Sequence, residues 1–222
     1  MLIHPAATEG EMDRPGSTLE DVAASKAVLR KEIRARLRAT TDTDRATQSE
    51  AIRARVIQLD AFREAKIVVL YKPLPREVDV TPLWREAARR GCRTYFPRLE
   101  EGDLLLRFVR VERDDDWCTT MRPFPMPRAD LVSLTESEAT VAVCIIPGLA
   151  FAADGSRLGR GRGYYDRALV APPFSGRAYR VGVAFAEQLV ERVPTDSQDV
   201  RMDAVVTPGK TWLSGLPLGA AT

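Results

Sequence analysis

Apolar residues at Leu29, Ile33 and Leu37 recur every four positions and predict one buried stripe on a helix running from about Thr18 to Ala39. Lys26, Arg30 and Arg34 repeat at the same spacing and form a neighbouring basic stripe. A second helix is predicted from Asp44 to Leu59, with Ile52, Val56 and Leu59 on its buried side. The continuous apolar run Lys66 to Tyr71 changes the pattern to that of a strand buried on both faces, ended by Pro73 and Pro75. Thr81 and Pro82 suit the N-cap and first position of a helix reaching about Arg90, and Gly91 closes it. Further strands are expected at Cys92–Phe96, stopped by Pro97, at Leu104–Val111 and at Val141–Ile146, which Pro147 and Gly148 close. Asp114 to Trp117 and the Pro-rich Arg122 to Pro127 read as loop. After a Gly-rich stretch come a helix from about Tyr164 to Leu169 and short strands at Arg180–Phe185 and Ala204–Thr207.

Strands alternating with helices indicate an α/β fold. The expected architecture is a single domain with a central parallel or mixed sheet flanked by helices, plus an N-terminal helical arm. Residues 1–20, rich in Pro, Gly, Ala and Glu, are expected to be a disordered tail, with the domain over 21–210 and a C-terminal tail over 211–222. The 222 residues are enough for one sizeable core, and 45% apolar with 29% charged residues is ordinary globular composition. Against 33 Lys and Arg stand 31 Asp and Glu, so bulk charge gives no reason to expect a nucleic-acid partner. No stretch reaches the ~18 apolar residues of a membrane span, and no secretory leader pattern opens the chain. Cys92, Cys118 and Cys144 are isolated, which fits a reducing cytoplasm better than a disulfide framework or zinc site. The single histidine, His4, lies in the expected tail, so chemistry through a core histidine is not anticipated.

Candidate chemistry concentrates between Asp154 and Asp166, where Gly159, Gly161 and Gly163 alternate with Arg160 and Arg162 after a strong strand and before a helix. Glycine lets backbone bend and approach a ligand closely, and N–H groups in such a bend can form an anion nest. A helix N-terminus and the guanidinium groups of Arg157, Arg160 and Arg162 add positive charge, which together describe a polyphosphate site. It is not a Walker A loop, because no Gly-Lys-Ser/Thr ends it, and the G-x-G-x-G spacing departs from the dinucleotide fingerprint. A tight strand-to-helix connection with solvated arginines is the plainer alternative. Tyr164 and Tyr165 diverge if helical, so at most one is expected to face the loop side, the other packing into the core. Asp166 suits a Mg²⁺ site or, more simply, a first-turn carboxylate facing the helix dipole.

The segment Arg157-Leu-Gly-Arg-Gly-Arg-Gly-Tyr-Tyr-Asp166 resembles the RLGxGxGYYD signature of the 5-formyltetrahydrofolate cyclo-ligases. Lys26-x-x-x-Arg30, Glu77-Val-Asp-Val80, Tyr95-Phe-Pro-Arg98 and Asp199-Val-Arg-Met-Asp203 with Val-Val-Thr207 are similar to that family's other motifs, in the same order. Val80 departs from the usual Thr, and Arg162 stands where Lys or Gly is common. The resemblance implies a monomeric enzyme acting on small molecules, with neither nucleic acid nor membrane as partner. ATP as co-substrate, with Mg²⁺, phosphorylates the formyl oxygen of 5-formyltetrahydrofolate, and N10 then closes the ring to 5,10-methenyltetrahydrofolate. It implies ATP contacts from Lys26, Arg30, Arg157, Leu158, Gly159, Arg160, Gly161, Arg162, Gly163, Tyr164 and Tyr165. Folate contacts are implied for Lys72, Glu77, Arg160, Arg162 and Tyr164, catalytic roles for Arg160, Arg162 and Tyr164, and metal contacts for Asp166 and Asp199. Read without the resemblance, Lys26 and Arg30 are also a solvated helix face, Glu77 a loop-tip carboxylate and Asp199 a turn residue. A non-catalytic nucleotide-, folate- or RNA-binding paralogue and a phosphotransferase for another small substrate are the competing readings.

Overall fold

A capping box, a second threonine cap and a run of β-branched residues set the frame of the chain. The computed structural model describes residues 18–100, 105–119, 124–174 and 178–214. His4 and most of the two expected tails lie outside them. Thr18 caps α1 (Leu19–Ala39), its hydroxyl accepting from the Asp21 N–H while the Asp21 carboxylate accepts from the Thr18 N–H. Thr41 caps α2 (Asp42–Gln58) through its hydroxyl alone, which accepts from the Asp44 N–H. There follow α3 (Asp60–Glu64), β1 (Ile67–Val69), α4 (Thr81–Arg89), β2 (Arg93–Leu99) and β3 (Leu106–Arg110). A small hairpin, β4 (Trp117–Cys118) and β5 (Met126–Pro127), precedes α5 (Glu136–Ala139) and β6 (Ala142–Ile146). Then come β7 (Ala150–Ala152), β8 (Arg157–Leu158), α6 (Tyr164–Val170), β9 (Tyr179–Val183), β10 (Leu189–Val190), β11 (Ala204–Val206) and β12 (Thr211–Leu213).

Seven strands form the main sheet in the order β12-β11-β9-β6-β1-β2-β3. The inner five run parallel, and β12 and β3 close the edges antiparallel. Alternate residues of the inner strands feed two cores. Val68, Val143, Ile145, Val181 and Val206 face a layer containing Ile33, Leu37, Ile52, Val56 and Leu83 from α1, α2 and α4. Ile67, Val69, Cys144, Ile146 and Val205 face a second layer with Phe151, Ala168, Leu169 and Phe174. Burial on both faces is why β1 and β6 are apolar at every position. The N-terminal helical arm packs onto the sheet, since Ile33 and Leu37 are buried in the first core.

Several boundaries differ from expectation. Val80, not Thr81, occupies the N-cap of α4 and makes no side-chain cap, while the Thr81 N–H donates to Asp79 Oδ1 at 3.0 Å. Leu59 ends α2 where expected and also starts α3, a short helix that was not anticipated. Pro97 does not stop β2. Arg93 and Tyr95 bond towards β1, so the N–H that Pro97 lacks would point the same way, past the last residue of β1, and no ladder bond is lost. Thr211–Leu213 pairs with Ala204–Val206 where the C-terminal tail was expected to begin. The Gly-rich stretch contains the β7–β8 hairpin, with β10 beside β7 in a separate three-stranded sheet. No described helix is long and apolar enough to cross a membrane.

Candidate functional site

From β1 the chain moves through α4 to β2 on one side, while β6 lies on the other, so the connections diverge between β1 and β6. Ligands of open α/β sheets bind where such a divergence leaves a crevice at the carboxyl ends of the strands. A cleft of about 550 Å³ lies there, lined by Tyr71 and Lys72 beyond β1 and by Pro147 and Gly148 beyond β6. Its polar wall comes from Arg34, Glu77, Arg157, Gly159, Arg160, Arg162, Gly163, Tyr164, Tyr165 and Asp166. Leu74, Pro97, Leu99, Leu106, Trp117, Phe124, Pro125 and Met126 build an apolar wall.

Arg157 begins the polar wall from within a strand. Pairing of Phe151 with Arg157 and Ala150 with Leu158 buries both β8 residues, so Leu158 is core. The Arg157 guanidinium donates to the Pro147 carbonyl at 3.2 Å and forms an ion pair with Asp166 across the loop. Gly161 (φ 112°) and Gly163 (φ 63°) take left-handed backbone that only glycine adopts readily, and Gly163 serves as the N-cap of α6. Arg160 leaves the loop and meets Glu77 Oε1 through Nε at 2.8 Å. Glu77 is aimed by a tight turn: its N–H donates to the Leu74 carbonyl, its Oε2 accepts from the Leu74 N–H, and Arg76 between them is left-handed (φ 66°). Such backbone in a non-glycine residue carries strain, which is common beside binding sites. Burial raises the Glu77 carboxyl above the usual glutamate value, and the Arg160 guanidinium opposes that rise. Burial also raises the phenols of Tyr71 and Tyr165, so both stay neutral donors. Lys72 Nζ lies 5.1 Å from the centre of the Trp117 ring, at the apolar wall.

Of the residues singled out from sequence, Lys72, Glu77, Arg157, Gly159, Arg160, Arg162, Gly163, Tyr164, Tyr165 and Asp166 share this one cleft. Both tyrosines line it, against the expectation of at most one, because the cleft curls round the start of α6 from Arg162 to Asp166. Lys26, Arg30, Leu158, Gly161 and Asp199 do not line it. Lys26 is buried, with Nζ 2.6 Å from Asp196 and 2.5 Å from Asp199. Asp199 thus answers a lysine, and Asp166 answers Arg157. No group of three or more His, Cys, Asp or Glu among the described residues could hold a metal ion unaided. Asp166 alone of the two lines the cleft, and Mg²⁺ characteristically takes one or two carboxylates with phosphate oxygens and water completing its shell. Sequence reasoning missed the apolar wall and Tyr71. Trp117 and Pro125 were visible as loop residues and Pro97 as a strand stop, but nothing local indicated that they converge.

A family model described as the 5-formyltetrahydrofolate cyclo-ligase family matches residues 22–208. The 5-formyltetrahydrofolate cyclo-ligase of Escherichia coli K12 is 31% identical over 186 residues, covering 81% of this chain and 98% of that protein. The mouse protein of the same name is 27% identical, covering 83% and 94%. Among solved structures, Aquifex aeolicus 5,10-methenyltetrahydrofolate synthetase superposes with a TM-score of 0.72 at 28% identity, over 89% of this chain and 96% of the other.

Proposed function

Since the chain belongs to the 5-formyltetrahydrofolate cyclo-ligase family, we propose that its cleft converts 5-formyltetrahydrofolate to 5,10-methenyltetrahydrofolate at the expense of ATP. The observation that carries this reading is the convergence on one cleft of the arginine–glycine loop and a buried carboxylate, Glu77, opposite an apolar wall. A polyphosphate fits the loop, and a flat aromatic substrate fits the wall of Leu99, Leu106, Trp117 and Met126.

The formyl oxygen is a poor leaving group, and phosphorylation corrects that. The oxygen attacks the γ-phosphorus of ATP and ADP departs. The N10 lone pair then attacks the formyl carbon, the carbon–oxygen bond breaks with its electrons leaving on phosphate, and the N10 proton is lost. Little covalent work falls to the protein, which has to position two substrates and neutralise charge. Arg160 and Arg162 supply guanidinium groups to the transferring phosphoryl group. Glu77 accepts hydrogen bonds from the pteridine side, and the Tyr164 hydroxyl donates near the loop. Asp166 is the residue suited to hold Mg²⁺, which when bound would offset phosphate charge.

The test is direct: mix the protein with ATP, Mg²⁺ and 5-formyltetrahydrofolate and follow the methenyl chromophore. The expected result is absorbance growth only when all three are present. In Arg162→Ala the ATP-dependent rate is expected to collapse, and in Glu77→Ala the KM for the folate to rise. Ligand binding without turnover in the wild-type protein would instead favour a binding module.

A further inference from the structure

The arginine–glycine loop is fastened from outside by guanidinium groups that lie beyond its own alternation. Arg30 Nε donates to the Gly159 carbonyl at 3.0 Å, and Arg34 Nη2 to the Arg160 carbonyl at 3.1 Å, both from α1. Arg167 Nη2, from α6, donates to the Arg162 carbonyl at 2.8 Å. In a trans peptide the carbonyl and the next residue's N–H point in opposite directions. The one cis peptide among the described residues is Pro172–Pro173, so these loop peptides are trans. The tethers from Arg30 and Arg167, which do not line the cleft, therefore turn away from them the N–H groups of Arg160 and Gly163, two residues that do line it, whereas Arg34 itself lines the cleft and Gly161 does not. Carbonyl oxygens turned towards a polyphosphate would repel it, whereas N–H groups on a concave bend attract it. The tethers also pack closely. An ideal Cβ on Gly161 would lie 3.6 Å from Arg30 Nε, and one on Gly163 2.9 Å from Arg167 Nη1.

We propose that Arg30 and Arg167 are positioning residues for phosphate binding, holding the Gly159 and Arg162 carbonyls outward so that the N–H groups of Arg160 and Gly163 form the anion nest. This rests on the ATP reading above. It adds a backbone tether through Nε to the phosphate contact expected of Arg30 and brings in Arg167, which had no role so far. Arg160 and Arg162 keep their side chains for the substrates.

The experiment uses the full chain labelled with ¹⁵N-glycine, titrated to saturation with Mg²⁺ and a non-hydrolysable imido analogue of ATP. In the wild type, the Gly163 amide proton is expected to move downfield. Arg167→Met should shrink that shift at saturation by at least half. It should raise the KM for ATP roughly tenfold, the scale of one lost charge-assisted hydrogen bond, while changing the folate KM less than about twofold. Arg167→Lys, which still donates, should recover most of the lost affinity. If the methionine variant fails to fold, the glutamine variant at the same position carries the comparison. A full shift at saturation in that variant would overturn the tethering role while leaving the ATP reading intact. A wild-type spectrum indifferent to the nucleotide would overturn both.

Discussion

Glu77 shows how one carboxylate can be tuned by its surroundings. Its side chain is only 7% exposed, and burial raises its proton affinity while Arg160 at 2.8 Å lowers it. If the ionised form accepts hydrogen bonds from the folate, binding should weaken as pH falls through a value above the ordinary glutamate range. Removing Arg160 takes away the opposing charge, so in Arg160→Met the acid limb of folate binding is expected to move to still higher pH. Titrating folate affinity against pH by fluorescence in both proteins checks this, and an unmoved limb would mean that another group titrates. Glu77 as a candidate was legible from its motif. Its burial was not, because a carboxylate two residues beyond Pro75 looks like a loop tip until the Leu74–Glu77 turn folds it inward.

At the scale of elements, α1 does two jobs with one face. Leu29, Ile33 and Leu37 seat it on the core, and the adjacent basic stripe reaches two separate segments. Arg30 and Arg34 meet the loop, whereas Lys26 meets a turn in which Asp199 Oδ2 accepts from the Asp196 N–H at 2.8 Å. Burial acts to lower the Lys26 ammonium, but its hydrogen bonds to Asp196 and Asp199 outweigh that and raise it overall. The Lys26 hydrogen bond in turn lowers the Asp196 carboxyl. The stability gained at Asp196 is therefore present above the ordinary carboxylate range and is lost as pH falls through the depressed value. The gain at Lys26 is full below the ordinary lysine value and is lost as pH rises through the raised one. Lys26→Met should cost roughly 2 kcal/mol in urea denaturation near neutral pH, less than the ~3–5 kcal/mol for breaking a fully buried pair because both carboxylates keep some solvent. The difference should narrow at low pH, where Asp196 is protonated. An equal cost at all pH values would show that lost packing, not charge, matters.

Across the whole molecule, the second core reaches the site at Phe151, fully buried behind Gly148 of the cleft lining. Its ring occupies space that side chains on Gly148 and Gly182 would need: an ideal Cβ on Gly148 would lie 2.5 Å from the ring, and one on Gly182 would come closer still. Gly182→Ala should therefore destabilise the fold through overpacking by about 1–3 kcal/mol. Phe151→Ala should cost about 3–5 kcal/mol through the cavity it leaves. Combining the two should cost less than their sum, because the missing ring makes room for the methyl, and thermal or chemical denaturation of all three variants tests that coupling. Strict additivity would place the two residues out of contact.

Local sequence pattern alone determined the α/β class, the two apolar central strands, most helices and the arginine–glycine loop, because these depend on neighbours within a few residues, while the motifs flanking the loop were marked by the family resemblance. It also marked Gly148, but as a strand-ending turn, when its lack of a side chain makes room for a ring. Only the tertiary structure decided which charges pair, such as Lys26 with Asp199, 173 positions away, and which apolar residues wall the cleft. Local pattern states which face of an element is apolar or charged. What that face meets is settled by strand order and by how the connections between distant segments pack.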